Sequence, residues 1–301
     1  MRILAAVTLV TCLTLGSLFV AGRMLARQIE TQPRAVAPWG PGTSFLSTRS
    51  GRVHILDVGE GDPILLIHGS GSNIAEWQEG FADILASNHR VIAFDSYGFG
   101  LSDRNHPLQY GLALWARQAV DVLDALEIDR AVVLGHSAGG AVAALLAANH
   151  MERFRGAVFV GHGIAIDPAQ FLPLIPGIGE IWAALNETLA VTFPDRDHHR
   201  QRMEATYRIR GTRAAFLVFV RRQYTIDGLR LLDAYEGIHI PVLQVHGTLD
   251  QSISIDAGRQ LGSRLADSRF VAVSESGHHV HLDFPGRLAE EVVAFVAALE
   301  P

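Results

Sequence analysis

Short apolar runs alternate with longer stretches of helical periodicity along most of the chain. Such runs, about four to eight residues long, are typical of strands buried in a sheet. Helices are predicted between them at residues 73–87, at residues 112–126 and in a segment that ends at residue 150. Strands that alternate with helices predict an α/β fold, with a mostly parallel sheet covered by helices on both faces. The predicted strands are residues 45–50, 53–58, 62–67, 90–94, 131–134, 157–160, 240–247 and 269–274.

The first apolar segment differs from these runs in length. Residues 3–22 carry no charge, and as a helix they would extend about 30 Å, the thickness of a bilayer core. Arg2 precedes them, and Arg23 and Arg27 follow. We predict that residues 1–29 form a single-pass anchor that associates the protein with a membrane. The alternative is a cleaved signal peptide and a secreted or periplasmic protein.

The side of the membrane that holds the rest of the chain stays open, because the arginine count and the short N-terminus favour opposite orientations. Residues 30–44 are rich in proline, glycine and polar residues and are predicted to be a linker that buries nothing. Residues 45–301 are then one domain. Removal of residues 1–30 is expected to leave that domain soluble and active.

Composition limits the possible partners. With 301 residues and a hydrophobic fraction of 49%, the chain can bury the core of a large α/β domain. The formal net charge of -6 argues against nucleic acid as a partner. Cys12 is the single cysteine, so no disulfide can form within one chain.

A G-x-S-x-G pentapeptide, residues 135–139, lies between a predicted strand and a run of small residues. A serine on such a strand-to-helix turn is lifted clear of its neighbours. Asp250 and His278 follow in the chain, each just past the end of a predicted parallel strand, so all three side chains are expected at one edge of the sheet. We predict that Ser137 is a nucleophile, His278 its base and Asp250 the acid that orients the histidine.

A fourth element stabilises the negative oxygen that forms when a serine attacks a carbonyl. The strand that ends at residue 67 runs into His68, Gly69 and Ser70, and the glycine allows backbone N–H groups to turn inward. We predict that the N–H groups of Ser70 and Ala138 form the oxyanion hole.

These motifs resemble those of the α/β-hydrolase fold family over roughly residues 45–299. The shared features are the HG loop at residues 68–69, a D-x-x-G-x-G-x-S turn at residues 95–102, the serine turn, a G-x-x-D turn at residues 247–250 and the G-H pair at residues 277–278. Tyr97 stands where many relatives have proline. The resemblance implies the same roles for Ser137, Asp250 and His278.

Residues 163–237 contain no clear strand, and helical stretches are predicted at residues 181–190, 199–210 and 213–224. In this family an insertion at that point resembles a cap over the active site. Its apolar residues are expected mainly to pack, with some lining a pocket for an apolar acyl or alcohol group. These residues are Phe171, Leu172, Leu174, Ile175, Ile178, Ile181, Trp182, Phe193, Phe216, Leu217, Phe219 and Tyr224. Eight arginines between residues 196 and 222 are interpreted as solvated helix faces, with contact to anionic headgroups as the alternative.

The resulting hypothesis is a cofactor-free serine hydrolase that cleaves a small apolar carboxylic ester through an acyl-enzyme. Carbon–carbon bond hydrolases of the same fold are the main alternative, and a hydrolase-fold ligand receptor with slow turnover is another. No metal is expected, because His198–His199 and His278–His281 lack the spacing of a helical zinc site. Asp167 is the one alternative acid, and His68 and His136 are interpreted as hydrogen-bonding residues of the loops.

Overall fold

In a computed structural model, which describes residues 2–32, 39–78, 80–106, 108–164, 172–185 and 197–299, eight strands form one sheet. Their order is β1-β2-β4-β3-β5-β6-β7-β8, with β2 antiparallel to β1 and β4 and all other neighbours parallel. This confirms the predicted fold class. The strands are β1 Thr43–Thr48, β2 Gly51–Val58, β3 Pro63–Ile67, β4 Arg90–Phe94, β5 Ala131–His136, β6 Phe154–Val160, β7 Val242–Gly247 and β8 Ser268–Val273.

The central strands are buried on both faces, which explains why they read as continuous apolar runs. In β3, Leu65 and Ile67 belong to one core cluster, while Ile64 and Leu66 belong to the other. The alternation follows from the period of two in a strand. Helices α3 and α4 cover the first face, and α2 and α11 cover the second. Helices outside the cap are α1 Arg2–Ile29, α2 Phe81–Ala86, α3 Leu112–Ala125, α4 Ala138–Asn149, α9 Ile255–Gly262, α10 Val280–Asp283 and α11 Pro285–Ala297.

Between β6 and β7 the chain forms the predicted helical insertion, hereafter the cap. Its described helices are α5 Ile178–Leu185, α6 Asp197–Tyr207, α7 Thr212–Arg222 and α8 Gly228–Glu236, and a π-helical turn, Gln223–Asp227, joins the last two. Phe219 of α7 stacks on Trp115 of α3, with ring centroids 4.4 Å apart. The buried carboxylate of Asp227 accepts the N–H of Leu112 at 3.0 Å. These contacts fix the cap on the sheet domain.

Helix α1 packs against α5 of the cap. Gly22 lies so close to α5 that an added Cβ would be 2.5 Å from the carbonyl carbon of Glu180. The φ of Gly177 is +87°, and an added Cβ there would be 2.4 Å from the carbonyl oxygen of Leu15. Small residues are required at such helix crossings, because a side chain would push the backbones apart.

The chain just after α1 is also bound to the cap. Glu30 is only 4% exposed, and its two carboxylate oxygens accept the N–H groups of Arg213 at 2.7 Å and Gly211 at 2.8 Å. Gln32 pairs with the backbone on either side of Ile209. The expectation that the linker buries nothing is therefore wrong at Glu30, whose partners lie about 180 positions away in the sequence.

The apolar face of α1 that points away from the cap contacts no other part of the described chain. Residues Val7–Ile29 form a helix long and apolar enough to cross a membrane, and only 6% of the most apolar stretch is buried. A signal sequence near the N-terminus satisfies the same criteria of length and composition. The apolar side chains more than half exposed are Val7, Leu9, Val10, Leu13, Val20 and Met24.

Candidate active site

Ser137 lies on the sharp turn between β5 and α4. Its φ of 52° and ψ of -115° are unusual for a residue with a side chain, and they lift that side chain out of both elements. A Cβ at Gly135 would overlap the carbonyl oxygen of Gly139, and one at Gly139 would overlap that of Ile67. The pentapeptide needs both glycines for this close crossing of strand and helix.

Asp250 and His278 meet at the same edge of the sheet. Nδ1 of His278 lies 2.8 Å from Oδ2 of Asp250. The other carboxylate oxygen accepts the N–H groups of Ser252 at 2.8 Å and Ile253 at 2.9 Å. Burial alone would raise the pKa of Asp250, but hydrogen bonds with His246 and His278 outweigh it and hold that pKa below its usual range. An ionised Asp250 can therefore orient the His278 ring.

The end of β6 brings the serine turn and the histidine loop together. The N–H of Ser137 donates to the carbonyl of Val160 at 2.9 Å. At the next residue, Gly161, the φ is +56°, and an added Cβ would lie 3.2 Å from Nδ1 of His278. Ser137 and His278 line one cavity of about 310 Å³. The alternative acid, Asp167, lies outside the described residues.

The two amides predicted to form the oxyanion hole border the same cavity. Ser70 and Ala138 both line it, on the loop after β3 and at the start of α4. An added Cβ at Gly69 would lie 3.5 Å from Cβ of Ser137, so this loop passes directly beside the serine. Within the described part of the chain, neither the N–H of Ser70 nor that of Ala138 donates a hydrogen bond. Two free amides beside a serine are what an oxyanion hole requires.

A buried carboxylate behind this loop was not found from the sequence. Glu76 is fully buried, and its Oε1 accepts the N–H of Gly69 at 3.2 Å and lies 3.4 Å from Nδ1 of His136. Nε2 of His136 lies 3.1 Å from the carbonyl oxygen of His278. This chain of contacts links the loop after β3, which carries Ser70, to the loop that carries His278. His136 thus has the hydrogen-bonding role that was expected of it.

A second histidine lies under the serine turn. His162 is 7% exposed, its Nε2 lies 2.8 Å from the hydroxyl of Tyr235, and its ring makes a hydrogen bond to the backbone of Ser137. Burial lowers the pKa of His162 to about 3. The ring is therefore neutral at pH 7 and supports the turn as a hydrogen-bonding group. No sequence motif singled it out.

The remaining histidines have structural partners. Nε2 of His68 accepts the N–H of Ser96 at 2.9 Å, so its Nδ1 donates to the carbonyl of Gly69 at 2.7 Å. His279 lines the cavity beside His278. Three ligand atoms of Glu76, His136 and His281 lie within 4.8 Å of one another and could hold a metal ion. Glu76 and His136 of this cluster also make the contacts with the two loops described above.

The cap closes the cavity on the side opposite the sheet. Three of the apolar cap residues singled out in the sequence line it, namely Trp182, Phe216 and Tyr224. Trp182 stacks on Phe216 in this wall, with ring centroids 5.6 Å apart. Phe219 is instead packed in the core, and Leu172 and Ile175 are exposed. The predicted cap residues Phe171 and Phe193 lie outside the described residues.

Comparison with known proteins assigns the family. A sequence profile described as "Alpha/beta hydrolase family" matches residues 64–291. The chain therefore belongs to the alpha/beta hydrolase family, and the resemblance noted from its motifs is confirmed.

Its relatives include two kinds of hydrolase. The chain is 32% identical over 257 residues to 2-hydroxymuconate semialdehyde hydrolase from Pseudomonas sp. (strain CF600), which covers 82% of this chain and 90% of that protein. It is 27% identical over 256 residues to pimeloyl-[acyl-carrier protein] methyl ester esterase from Aeromonas hydrophila subsp. hydrophila. That match covers 81% of this chain and 99% of the esterase.

Among solved structures, a membrane phospholipase A described as a bacterial virulence factor has a TM-score of 0.64 and 22% identity, and covers 98% of this chain and 96% of that one. At that identity the match shows the fold alone. Because nearly the whole chain is covered, the common fold extends into the N-terminal segment.

Proposed function

We propose that this chain is a serine hydrolase that breaks the bond between a carbonyl carbon and its leaving group. Ser137 Oγ attacks the carbonyl while Nε2 of His278 takes its proton, and Asp250 holds the resulting imidazolium in place. The N–H groups of Ser70 and Ala138 hold the oxyanion. When the tetrahedral intermediate collapses, His278 gives the proton to the leaving atom, and water then hydrolyses the acyl-enzyme by the same route. The free amide pair beside Ser137 is the observation that carries this proposal.

The leaving atom in the first candidate function is carbon. The relative from Pseudomonas acts on a semialdehyde whose carbonyl is conjugated to a dienoate, and it matches this chain over more than four fifths of its length. In such a substrate the 2-hydroxydienoate first gives up its hydroxyl proton and takes a proton at the carbon beside the carbonyl, which converts it to a 2-oxo-3-enoate. The bond between that carbon and the attacked carbonyl carbon then breaks, its electron pair is delocalised into the conjugated 2-oxo group, and protonation of that oxygen gives a shorter 2-hydroxydienoate. A cavity of about 310 Å³ suits a substrate of that size. The relatives thus favour hydrolysis of a carbon–carbon bond. The sequence alone had favoured hydrolysis of an ester, with carbon–carbon hydrolysis as the alternative.

The second candidate function is hydrolysis of a small ester, and the cavity wall favours it. Among the described residues that line the cavity there is no arginine, although a dienoate carries a carboxylate that needs a partner. Neutral side chains with donor groups line the cavity, among them those of Ser70, Gln223 and Ser252. A neutral apolar ester needs no such partner.

A substrate panel distinguishes the two functions. Purified full-length enzyme is given 2-hydroxymuconate semialdehyde, its methyl ketone homologue and p-nitrophenyl esters of two, four and eight carbons, with Ser137→Ala as the control. The first function predicts a kcat/KM for a dienoate that exceeds the best ester by at least about 100-fold, equal to a preference of about 2.7 kcal/mol. A kcat/KM for the best ester that exceeds that for the dienoates by the same factor would support the second function, ester hydrolysis. A single turnover on every compound would contradict both and indicate a receptor.

We also propose that α1 attaches this hydrolase to a membrane. The support is its uncharged stretch and the exposed apolar side chains described above. If α1 is an anchor, the protein expressed in a bacterium stays in the membrane fraction after carbonate washing and keeps the mass of the full chain. A soluble protein shortened by about 25 residues would establish a cleaved signal sequence instead.

A further inference from the structure

A second and larger cavity lies between α1 and the cap. It has a volume of about 720 Å³, and its walls come from α1, from α5 and from the first part of α7. Helix α7 separates it from the active site, because Phe216 and Val220 line the active-site cavity while Leu217 and Val218 line this one. The α1–cap cavity is thus a separate site, which the proposed reaction does not use.

Arginines outnumber carboxylates around the α1–cap cavity, and the carboxylates are already engaged. Glu30 accepts two backbone N–H groups at the start of α7. Glu180 accepts hydrogen bonds from Arg221 at 3.0 and 3.3 Å and from the N–H of Gly177 at 2.7 Å. The five arginines that line the cavity are Arg23, Arg27, Arg210, Arg213 and Arg221.

Three of these arginines have no acidic partner in the part of the chain that the structure describes. Arg23, Arg27 and Arg210 are exposed, and in the described ranges no carboxylate forms an ion pair with any of them. They border a cavity whose wall also carries apolar side chains, among them Phe19 and Leu217. A ligand that suits this cavity has an anionic head and an apolar body.

The position of the α1–cap cavity along α1 selects the source of such a ligand. Arg23 and Arg27 are one helical turn apart and directly follow the uncharged residues 3–22. When that stretch occupies the hydrocarbon core, the two arginines lie at the level of the lipid headgroups. Each basic residue there strengthens binding to an anionic lipid roughly fivefold.

We propose that the α1–cap cavity binds an anionic phospholipid, with the phosphate held by Arg23, Arg27 and Arg210 and the start of an acyl chain against Phe19 and Leu217. The bound lipid joins the anchor to the cap and so to the wall of the active-site cavity formed by α7. This inference goes beyond the hydrolysis reaction and does not depend on which bond the enzyme cleaves.

Lipid retention by the full chain in a neutral detergent tests the proposal. Native mass spectrometry measures the binding of dihexanoylphosphatidylglycerol, of dihexanoylphosphatidylcholine and of glycerol phosphate to the wild type and to the Arg27→Gln/Arg210→Gln variant. The matched control is Arg130→Gln/Arg264→Gln, which removes two exposed arginines outside the cavity. Thermal unfolding of each variant verifies that it is folded.

The expected result is at least tenfold preference of the wild type for phosphatidylglycerol over phosphatidylcholine. The cavity variant should bind phosphatidylglycerol roughly 25-fold more weakly, since two fivefold contributions are lost, and the control variant should bind it normally. Equal binding of the two lipids, or an unaffected cavity variant, overturns the proposal. Binding of glycerol phosphate as tight as that of the lipid also overturns it, since the site would then take a soluble phosphate.

Discussion

The substitution Glu30→Gln tests how α1 is attached to the cap. Glu30 follows the last residue of α1 and is 4% exposed, and its carboxylate accepts the N–H groups of Gly211 and Arg213 at the start of α7. Glutamine has the same shape, but one of its two terminal atoms is an NH₂ donor. One of the two backbone N–H groups therefore loses its acceptor, and the negative charge that favours the helix N-terminus disappears.

The cost can be worked out from these contacts. A buried N–H that loses its partner costs about 1–3 kcal/mol, and loss of a charge at a helix N-terminus adds about 0.3–1 kcal/mol. We expect Glu30→Gln to lower the free energy of unfolding by about 2–3 kcal/mol. For 301 residues, with an unfolding entropy of about 2.1 cal/mol/K per residue, that corresponds to a fall in Tm of roughly 3–5 °C. Because α7 carries Phe216 and Val220 into the active-site cavity, KM should rise as well.

Thermal unfolding in one detergent, followed by circular dichroism, measures the effect. Glu290→Gln is the control, because Glu290 is 73% exposed and its ion pair with Arg287 is 3.5 Å long, so its loss should cost no more than about 0.5 kcal/mol. Equal melting of Glu30→Gln and Glu290→Gln would refute the attachment of α1 through Glu30. Deletion of residues 1–30 removes the same carboxylate, so we now expect a destabilised cap where the sequence predicted a soluble and active domain.

Three further predictions concern the site itself. Asp250→Asn should lower kcat by on the order of 10⁴, because His278 would be held in the wrong tautomer; an effect below about tenfold would contradict the role of Asp250. His278→Ala should cost several orders of magnitude in turnover and His279→Ala less than about tenfold, chiefly in KM, and the reverse ranking would show that the base has been misassigned. Stability should fall as the pH is lowered from 6.5 towards 3, since the unfolded chain binds a proton at His162 in that range and the folded chain, with its pKa of about 3, does not. Urea titrations at several pH values give the free energy of unfolding, and His162 should contribute on the order of 1.4 kcal/mol per pH unit to its slope against pH. The slope should be smaller in His162→Gln, and an unchanged slope would show that His162 is not buried in neutral form.

The sequence was sufficient for the sheet and for the residues on its edge. Both depend on local patterns, namely apolar runs for strands and a glycine-bounded serine for the turn. The order of Ser137, Asp250 and His278, each just past a strand, predicted that they converge, and the structure places His278 2.8 Å from Asp250. Helix bounds were less accurate. Helix α8, which is nine residues long and continues directly from the Gln223–Asp227 turn, was missed.

Contacts between distant residues left no mark in the sequence. Glu30 looks like a linker carboxylate, and its partners are backbone N–H groups, whose position no residue type reveals. Glu76 lies in a short 3₁₀ turn, where glutamate is ordinarily solvated, and only the folded chain shows it buried against Gly69 and His136. His162 was missed for the same reason, because its partner Tyr235 comes from the far end of the cap.

Fluorophosphonate labelling of the full-length protein tests the central claim most directly. Only a serine activated by a base reacts quickly with this reagent, so intact mass and peptide mapping together identify the nucleophile. We predict one adduct per chain, on the peptide that contains Ser137. The Ser137→Ala variant should form no adduct, while its thermal unfolding should match that of the wild type. An adduct on another serine, such as Ser70, or full labelling of Ser137→Ala, would contradict it.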